Sequence, residues 1–418
     1  MNETMRSGLR WLCAGYLLAL ASAFGQTYFI ATFVGHIRAD LGLSAGGFGA
    51  LYTAGTIASA VLLMSFGRIA DAAQLRWIAA GVVVALAATT AGMAVVSAGW
   101  ALLILLFGLR FFGQGLLIHI AMTAMGRWFP TMRGKAVAIV ALGFPTGEAL
   151  LPTLTVLGID AYGWRTIWLI ACGFLLLVTL PAILLLLARE PVRVRPAGPA
   201  GPDTPAAEEG WTRAEVLRDP MFFALQPGIL APPFVLTGIF ISQTSLVAAK
   251  GWQLAWFAAS VPVYAAVTVA CSLVAGVVVD RLGARRVLPL YLLPLAASAL
   301  TFALARDAWL LPVAMAFAGL TAGGANTLFG ALWAELYGTA HLGAVRGLAT
   351  SGLVFASALA PGMIGGLMDV GFAIETLLVC LAGYTLFAAA TMAFVAGRLG
   401  GRGMRVRPRA AASPGDGR

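Results

Sequence analysis

Apolar runs of about 20 residues recur along almost the whole chain, and they restrict its fold more than any other feature of the sequence. A helical run of this length crosses a hydrocarbon core of about 30 Å. Charged residues make up 11% of the chain and hydrophobic residues 60%, whereas soluble domains carry about 25% charged residues. The sequence therefore predicts an integral membrane protein.

The runs predict an all-α polytopic membrane protein with twelve transmembrane helices. Lipid cannot satisfy an open backbone, so only helices or a closed barrel can span a membrane, and these runs are far longer than barrel strands. The first six predicted spans are 11–35, 46–66, 77–97, 100–125, 135–158 and 164–188. The last six are 221–249, 254–279, 286–305, 309–334, 346–368 and 372–398.

Lysine and arginine are distributed unequally between the two sides of this topology. If both termini are cytoplasmic, 22 of the 27 basic residues lie on the cytoplasmic side and four on the outer side. Cytoplasmic loops of membrane proteins carry an excess of Lys and Arg, so the pattern predicts cytoplasmic termini. The same asymmetry accounts for the net charge of +10, and no nucleic acid partner is expected.

The chain divides into two halves of six spans, joined by a segment rich in Pro and Gly. We predict an N-terminal six-helix bundle over 1–188, a cytoplasmic linker over 189–220, a C-terminal six-helix bundle over 221–398 and a disordered basic tail over 399–418. Within the linker, Thr212 and Glu215 have the spacing of a capping box, which predicts that a short amphipathic helix begins there.

The two halves share sequence patterns at corresponding places. Gly67 and Asp71 follow the second span in a Gly-x-x-x-Asp pattern, and Gly276 and Asp280 end the eighth span in the same pattern, 209 residues later. The segments RGKA and RGLA open the fifth and eleventh spans, 213 residues apart. Two landmarks with nearly equal offsets indicate a duplicated six-helix unit. Paired repeats with a site at their interface are typical of secondary transporters.

The segment GVVVDRLGARR, which contains Gly276, Asp280 and Arg281, resembles the loop signature of the major facilitator superfamily. The first-half segment GRIADAAQLR keeps the glycine and the aspartate of that signature but lacks the basic residue and the glycine that follow. LRFFGQG is similar to the family's fourth-span arginine motif, and RWFPTMRGKAVAI resembles bacterial members near the monocarboxylate-transporter-like branch. The resemblance covers essentially the whole chain.

This resemblance implies two pseudo-symmetric bundles that rock against each other, so that a central cavity opens to one side of the membrane at a time. Spans one, four, seven and ten would line that cavity. The resemblance also implies a gating role at the cytoplasmic span ends for the two Gly-x-x-x-Asp copies, at Gly67, Asp71, Gly276, Asp280 and Arg281.

Arg110 lies near the middle of the fourth predicted span. An arginine at a helix centre costs about 2.5–3.5 kcal/mol on insertion scales, and it faces protein or a water-filled cavity. Two interpretations remain open. The guanidinium binds the anionic end of a substrate, which suits its planar donor fork, or a fixed partner neutralises it and locks two spans together. Glu148, at similar depth in the fifth span, is the expected partner.

Glu148 also has two open interpretations. Desolvation disfavours its ionised form and a nearby Arg110 favours it, so protonation of Glu148 could release Arg110 and couple transport to protons. Alternatively, the two residues form a permanent ion pair. His119, whose side chain titrates near neutral pH, is a second candidate for a proton relay, although an interhelical hydrogen bond is the simpler explanation of it.

Further polar side chains within the cavity-lining spans are candidates for substrate contact. Gln114 follows Arg110 by four residues and so lies on the same face of an α-helix. Interhelical hydrogen bonding is the alternative role for all of them. The other candidates are Gln26 and Tyr28 in span one, Gln243 in span seven, and Asn326 and Thr327 in span ten.

Charged residues near the predicted outer face, Asp160, Arg165, Asp369 and Glu375, are most simply solvated helix ends. The sequence has no phosphate-binding Gly-x-x-x-x-Gly-Lys-Ser/Thr loop and no cluster of His and Cys. We therefore expect no enzyme activity, no cofactor and no bound metal.

These features predict a secondary active transporter of the bacterial cytoplasmic membrane. It would move a small organic anion, most simply a carboxylate, by alternating access with proton coupling or exchange. Its expected partners are that small molecule, the proton and the lipid bilayer, and it is expected to act as a monomer. Efflux of drugs or other amphipathic compounds by proton antiport is the alternative, and it predicts an aromatic-rich cavity and an unpaired Glu148. A membrane sensor that binds without transport is the alternative of another class.

Overall fold

The computed structural model describes residues 3–66, 74–129, 132–188, 210–338 and 341–399, and almost all of them are helical. Within these residues, eleven helices are long and apolar enough to cross a membrane, and a twelfth, Leu293–Leu304, is apolar but shorter. The all-α polytopic architecture predicted from the sequence is confirmed. The predicted gate residues Gly67 and Asp71, most of the linker and the tail from 400 onward lie outside the described residues.

We number the spans in chain order. The N-terminal half contains span 1 (Gly8–Ala31), span 2 (Ala45–Ser65), span 3 (Leu75–Val95), span 4 (Gly99–Gly126), span 5 (Gly134–Tyr162) and span 6 (Trp164–Leu186). The C-terminal half contains span 7 (Pro220–Ile241), span 8 (Leu254–Leu282), span 9 (Leu293–Leu304), span 10 (Ala308–Tyr337), span 11 (Leu342–Asp369) and span 12 (Ile374–Arg398).

Span 9 is shorter than the sequence predicts. A separate four-residue helix, Ala284–Val287, precedes it, and turns occupy 288–292. Pro289 lies two residues after the short helix ends, and a proline there has no backbone N–H with which to continue the helix. The apolar run is therefore continuous in sequence but divided in structure.

Span 1 is interrupted by a short break, and both span 1 and span 7 are followed by a further short helix. Span 1 tightens to a 3-10 turn at Ser22–Gly25, and Gln26 is extended before helix resumes at Thr27–Ala31. A further helix, Val34–Leu41, follows span 1, and Gln243–Ala249 follows span 7. At the break, Gly25 packs so closely on span 4 that a Cβ there would lie 2.7 Å from the Cα of Gly113. Only glycine fits this close crossing of spans 1 and 4.

Span 4 is not a uniform α-helix. Residues Leu109–Leu117 form a π-helical segment between two α-helical segments. Such i→i+5 segments are rare and frequently occur at functional sites. The π-helical segment contains Arg110 and packs against the break in span 1.

The bundle has two ends, which we name by their connections. At the loop-42 end, Arg165 donates to the carbonyls of Ala94 (2.8 Å) and Val96 (2.9 Å) and pairs with Asp40 (3.4 Å). At the linker end, the backbone N–H of Trp211 donates to the Tyr337 carbonyl over 2.9 Å. The loop-42 end is the predicted outer face, and the linker end is the predicted cytoplasmic face.

The linker end also contains the short helix that the sequence predicts. Arg213–Val216 begins with a capping box in which the Thr212 hydroxyl accepts from the Glu215 backbone and the Glu215 carboxylate accepts from the Thr212 backbone. This reciprocal pair satisfies two of the N–H groups that a helix start leaves unpaired.

The two halves meet along spans 2 and 11, along spans 5 and 8, and where the Thr27–Ala31 segment packs on span 7. The hydrogen bonds described between the halves lie toward the loop-42 end. Thr53 Oγ1 donates to the Ala358 carbonyl (2.6 Å), and Arg38 donates to the Ser245 hydroxyl (3.3 Å). The molecule is therefore closed at the loop-42 end.

Candidate functional site

Arg110 is enclosed within the N-terminal half. Its side chain is 1% exposed. Nη1 donates to Thr27 Oγ1 (3.2 Å) and, more weakly, to the Gly25 carbonyl (3.4 Å), and the guanidinium lies 5.3 Å from the ring centroid of Tyr52. Tyr52 in turn shares a 2.8 Å hydrogen bond with Thr27. All three neighbours belong to spans 1 and 2.

The expected pairing of Arg110 with Glu148 is absent from the structure. Both residues are described, and no ion pair joins them. The guanidinium turns instead toward the break in span 1, because a carbonyl at a helix interruption lacks an intrahelical donor and accepts from another group. Counting residues along the helices places Arg110 and Glu148 at similar depth. It does not indicate the direction in which each side chain points.

Two donors of Arg110, Nε and Nη2, are buried without a hydrogen-bond partner among the described residues. Its contacts are a carbonyl, a hydroxyl and an aromatic face, and none of these carries a countercharge. A cation–π contact of this kind is worth about 2 kcal/mol when desolvated. The buried positive charge of Arg110 is therefore only partly compensated by its described neighbours.

Glu148 occupies a different environment, next to the packed faces of spans 5 and 8. Thr153 of span 5 donates through Oγ1 to the Ala258 carbonyl of span 8 over 3.0 Å, which joins the two halves. Glu148 lies five residues from Thr153, hence about 7.5 Å along the helix axis. Its side chain is 4% exposed. Within the described parts of the chain, the carboxylate forms no ion pair.

Two phenols from opposite halves lie near Glu148. Tyr28 of span 1 and Tyr264 of span 8 both interact electrostatically with the carboxylate. The Tyr28 hydroxyl lies beside Gly147, where a Cβ would approach it to 3.1 Å, and donates weakly to the Phe144 carbonyl at 3.4 Å. Tyr264 stands edge-on to Phe240 of span 7, with ring centroids 5.7 Å apart. The carboxyl is thus set among aromatic side chains.

The two glutamines singled out by the sequence are both buried. Gln26 is buried at the break in span 1, and Gln243 begins the helix that follows span 7. Gln243 is 2% exposed, and its Nε2 has no hydrogen-bond partner among the described residues. Gln26 lies at an interrupted helix, where secondary transporters bind substrates and ions. Gln243 lies two residues from Ser245, toward the loop-42 end. Substrate contact stays a prediction for both glutamines.

The remaining predicted residues are Gln114, His119, Thr327 and Asn326. Gln114 is half-buried in the π-helical segment, four residues after Arg110. His119 is half-buried in the same span. Thr327 donates to the Ser272 carbonyl (3.5 Å) within the C-terminal half. Asn326 lies beside Thr327 in the helix of span 10.

The second copy of the predicted gate lies at the linker end of span 8. Gly276 is within the helix, and Asp280 and Arg281 are exposed. The first copy, at Gly67 and Asp71, lies outside the described residues. Among the described residues, no group of His, Cys, Asp and Glu has a metal-binding arrangement.

Sequence reasoning missed the role of Asp369. It was interpreted as a solvated end, but its carboxylate accepts from the Ser44 hydroxyl (2.6 Å) and the Gly46 backbone (2.9 Å) of the other half. Ser44 in turn accepts from the Gly47 backbone (2.9 Å). Asp369 therefore caps the start of span 2 across the interface. Tyr52, the aromatic neighbour of Arg110, was also missed, because no spacing rule connects spans 2 and 4.

Comparisons with known proteins agree with this architecture. A family model described as Major Facilitator Superfamily matches residues 15–361. No curated protein matches the chain. A solved bacterial homolog of the human lysosomal transporter Spinster, inward-facing and occupied, is 19% identical over 95% of this chain and 98% of its own, with a TM-score of 0.71. The nucleoside transporter NupG is 14% identical over 94% of this chain and 99% of its own, with a TM-score of 0.72. At such identities the likeness shows the fold alone.

Proposed function

The chain belongs to the major facilitator superfamily, and on that premise we propose that this membrane transporter couples the movement of its passenger to protons through Glu148. The family makes the protein a multi-pass transporter and not an enzyme. It supplies neither the passenger nor the coupling ion. Those two parts of the proposal rest on the geometry around Glu148 and Arg110.

The observation that carries the proposal is the position of Glu148. It is a buried carboxyl beside the interface of the two halves, without an ion pair among the described residues. Charge is expensive inside a membrane, and ionisable residues there mark proton and substrate pathways. A carboxyl without a fixed cation exchanges a proton when its access to water changes. Rocking of the two halves changes that access.

Orientation gives the proposal its direction. With the termini in the cytoplasm of a bacterium, as the basic residues predict, the closed loop-42 end faces outward. The described conformation is then inward-facing. In this state Glu148 exchanges its proton with the cytoplasm, and the outward-facing state exchanges it with the exterior.

The passenger that this geometry supports best is an amphipathic compound that is neutral or cationic. The ionisable group beside the interface is a carboxyl, and Tyr28, Phe144, Phe240 and Tyr264 provide aromatic surface near it. A cationic passenger and a proton compete for such a carboxyl, which is the basis of proton antiport. The unpaired state of Glu148 among the described residues is what the efflux alternative predicts from sequence.

A small organic anion is the second candidate passenger. Nε and Nη2 of Arg110 have no hydrogen-bond partner within the described residues, and a carboxylate would fill both in bidentate geometry. This candidate requires Arg110 to become accessible during the cycle, because the guanidinium is enclosed by spans 1 and 2 in the described state.

Transport by reconstituted protein tests the proposal. Proteoliposomes with an imposed pH gradient are given a lipophilic cationic dye or a short monocarboxylate, and uptake is followed with and without a protonophore. We expect gradient-driven movement by the wild type. Glu148→Gln should abolish it while exchange of passenger for passenger continues, because that exchange needs no proton.

Asp307→Asn is the matched control, because it makes the same chemical change at an exposed carboxyl between spans 9 and 10. It should leave gradient-driven transport intact. Gradient-driven accumulation that persists in Glu148→Gln contradicts the coupling role. Carboxylate transport that needs Arg110 selects the second candidate, and binding without flux of any compound selects the sensor.

A further inference from the structure

We propose that Tyr264 is a positioning residue that makes proton exchange at Glu148 depend on which end of the transporter is open. The inference rests on the proposed function, because it assumes that Glu148 carries the proton. It adds a residue of the opposite half, on span 8, that the coupling step requires.

The register of spans 5 and 8 places the two side chains at one depth. The Thr153 to Ala258 hydrogen bond fixes the register, and the two spans run antiparallel. Glu148 lies five residues from Thr153, and Tyr264 lies six residues from Ala258, both toward the linker end. With a rise of 1.5 Å per residue, these offsets are about 7.5 and 9 Å. The carboxyl and the phenol are therefore level with each other across the interface.

Burial and charge agree with this register. Tyr264 is 7% exposed, and its ring is held by the edge-on contact with Phe240. Glu148 and Tyr264 interact electrostatically. The phenol is thus a hydrogen-bond donor held by the C-terminal half beside an acid of the N-terminal half. The Tyr264 oxygen interacts with Thr268 of its own helix, and no described hydrogen bond joins it to Glu148. When the carboxyl ionises, the phenol O–H is available to donate to it, which stabilises that form.

Tyr28 provides an internal comparison. It also neighbours Glu148, but it belongs to the same half as the acid and moves with it. Tyr264 belongs to the other half and moves away when spans 5 and 8 separate. Tyr28 therefore acts on Glu148 in both states, whereas Tyr264 acts only while the loop-42 end is closed. This difference favours release of the proton at the linker end.

Other titratable groups lie on the helices packed against span 5, and their positions differ from that of Tyr264. Tyr16 of span 1 is committed to the Thr146 hydroxyl over 2.8 Å. Arg110 faces the break in span 1. Span 4 also packs against span 5, and its His119 lies nine residues from Arg110 toward the linker end. Arg10, Arg165, Asp280 and Arg281 lie toward the ends of their helices.

The test separates the two faces of the membrane. In right-side-out and inside-out vesicles, the pH on each side is varied in turn and the pH of half-maximal passenger flux is recorded. Tyr264→Phe should raise that pH by about one unit on the linker side only, because loss of one hydrogen bond disfavours the carboxylate there. Tyr28→Phe should shift the pH on both sides.

Tyr384→Phe is the matched control, since its phenol also lies in the C-terminal half but donates to the Pro227 carbonyl over 2.9 Å. It should shift neither side. Equal shifts on both sides in Tyr264→Phe, or no shift, overturn this inference. If Glu148→Gln still accumulates passenger, the proposed function fails as well. If Glu148→Gln is inactive and Tyr264→Phe shows no one-sided shift, only the positioning role fails.

Discussion

Two of the seams that join the halves of this transporter, along spans 2 and 11 and along spans 5 and 8, are built differently. The span 2–11 seam brings backbone against backbone, with Ala45, Gly46, Gly49 and Thr53 facing Ala358, Pro361, Gly362, Gly365 and Asp369. The span 5–8 seam has one described inter-half bond, between Thr153 and Ala258, and the buried Glu148 and Tyr264 follow it toward the linker end.

The difference assigns separate tasks to the two seams. The span 2–11 seam has no buried ionisable group among its described contacts, and its carboxylate, Asp369, lies at the exposed end. It closes the loop-42 end through shape and hydrogen bonds. The span 5–8 seam places an acid beside the moving interface. Closure and proton coupling should therefore respond to different substitutions.

The largest effect is expected at Gly365. A Cβ there would overlap the Ala45 carbonyl of the opposite half, and backbone cannot yield unless the helices separate. Overpacking of this kind costs about 1–3 kcal/mol, so Gly365→Ala should reduce the ratio of loop-42-closed to loop-42-open molecules about fivefold or more. Distances between spin labels at His36 and Ala248, which lie on opposite halves at this end, measure that ratio.

Gly366 supplies the control for this prediction. A Cβ on Gly366 meets open space, so Gly366→Ala should leave the distance distribution of the wild type unchanged. If the two alanine variants behave alike, the span 2–11 seam does not close by shape, and the distinction between the seams fails.

Replacing Arg110 with an apolar residue should not destabilise the protein. It is buried without a countercharge among its described contacts, and apolar replacement of buried charge is often neutral or stabilising. Arg110→Met should leave the free energy of unfolding unchanged or raise it by about 1 kcal/mol. Transport should fall, because Thr27 and the span 1 break lose their donor. Thermal denaturation and flux are measured on the same preparations.

Gln114→Met, a similar change on the same segment, is the reference for Arg110→Met. The label distance across the loop-42 end should not change in either variant, since neither residue lies on a seam. Strong destabilisation by Arg110→Met would instead make the arginine a structural lock.

The smallest effect is expected at Asp369. Asp369→Asn removes the charge from two hydrogen bonds to span 2, but the site is exposed and screened by water. We expect the loop-42-closed population to fall about threefold. Asp307→Asn at the same end should have no effect. A loss as large as that of Gly365→Ala would mean that the capping carboxylate, and not shape, holds this seam.

Part of the site was accessible from sequence. Arg110 and Glu148 stand out because charged residues are rare in membrane helices and functional when present. Gln26 and Gln243 were found from their matching places in the two halves. The partners were not found. Ser44 and Asp369 are separated by 325 residues, and no spacing within one helix connects Tyr52 to Arg110 or Tyr264 to Glu148.

The sequence by itself determined the membrane location and the helical spans, because length and hydropathy suffice to specify helices in lipid. Only the tertiary structure decided which side of each helix meets which neighbour. These spans are apolar on nearly every face, so they lack the amphipathic stripe that reveals a buried face in soluble proteins. The direction of the Arg110 guanidinium and the neighbours of Glu148 depend on that packing.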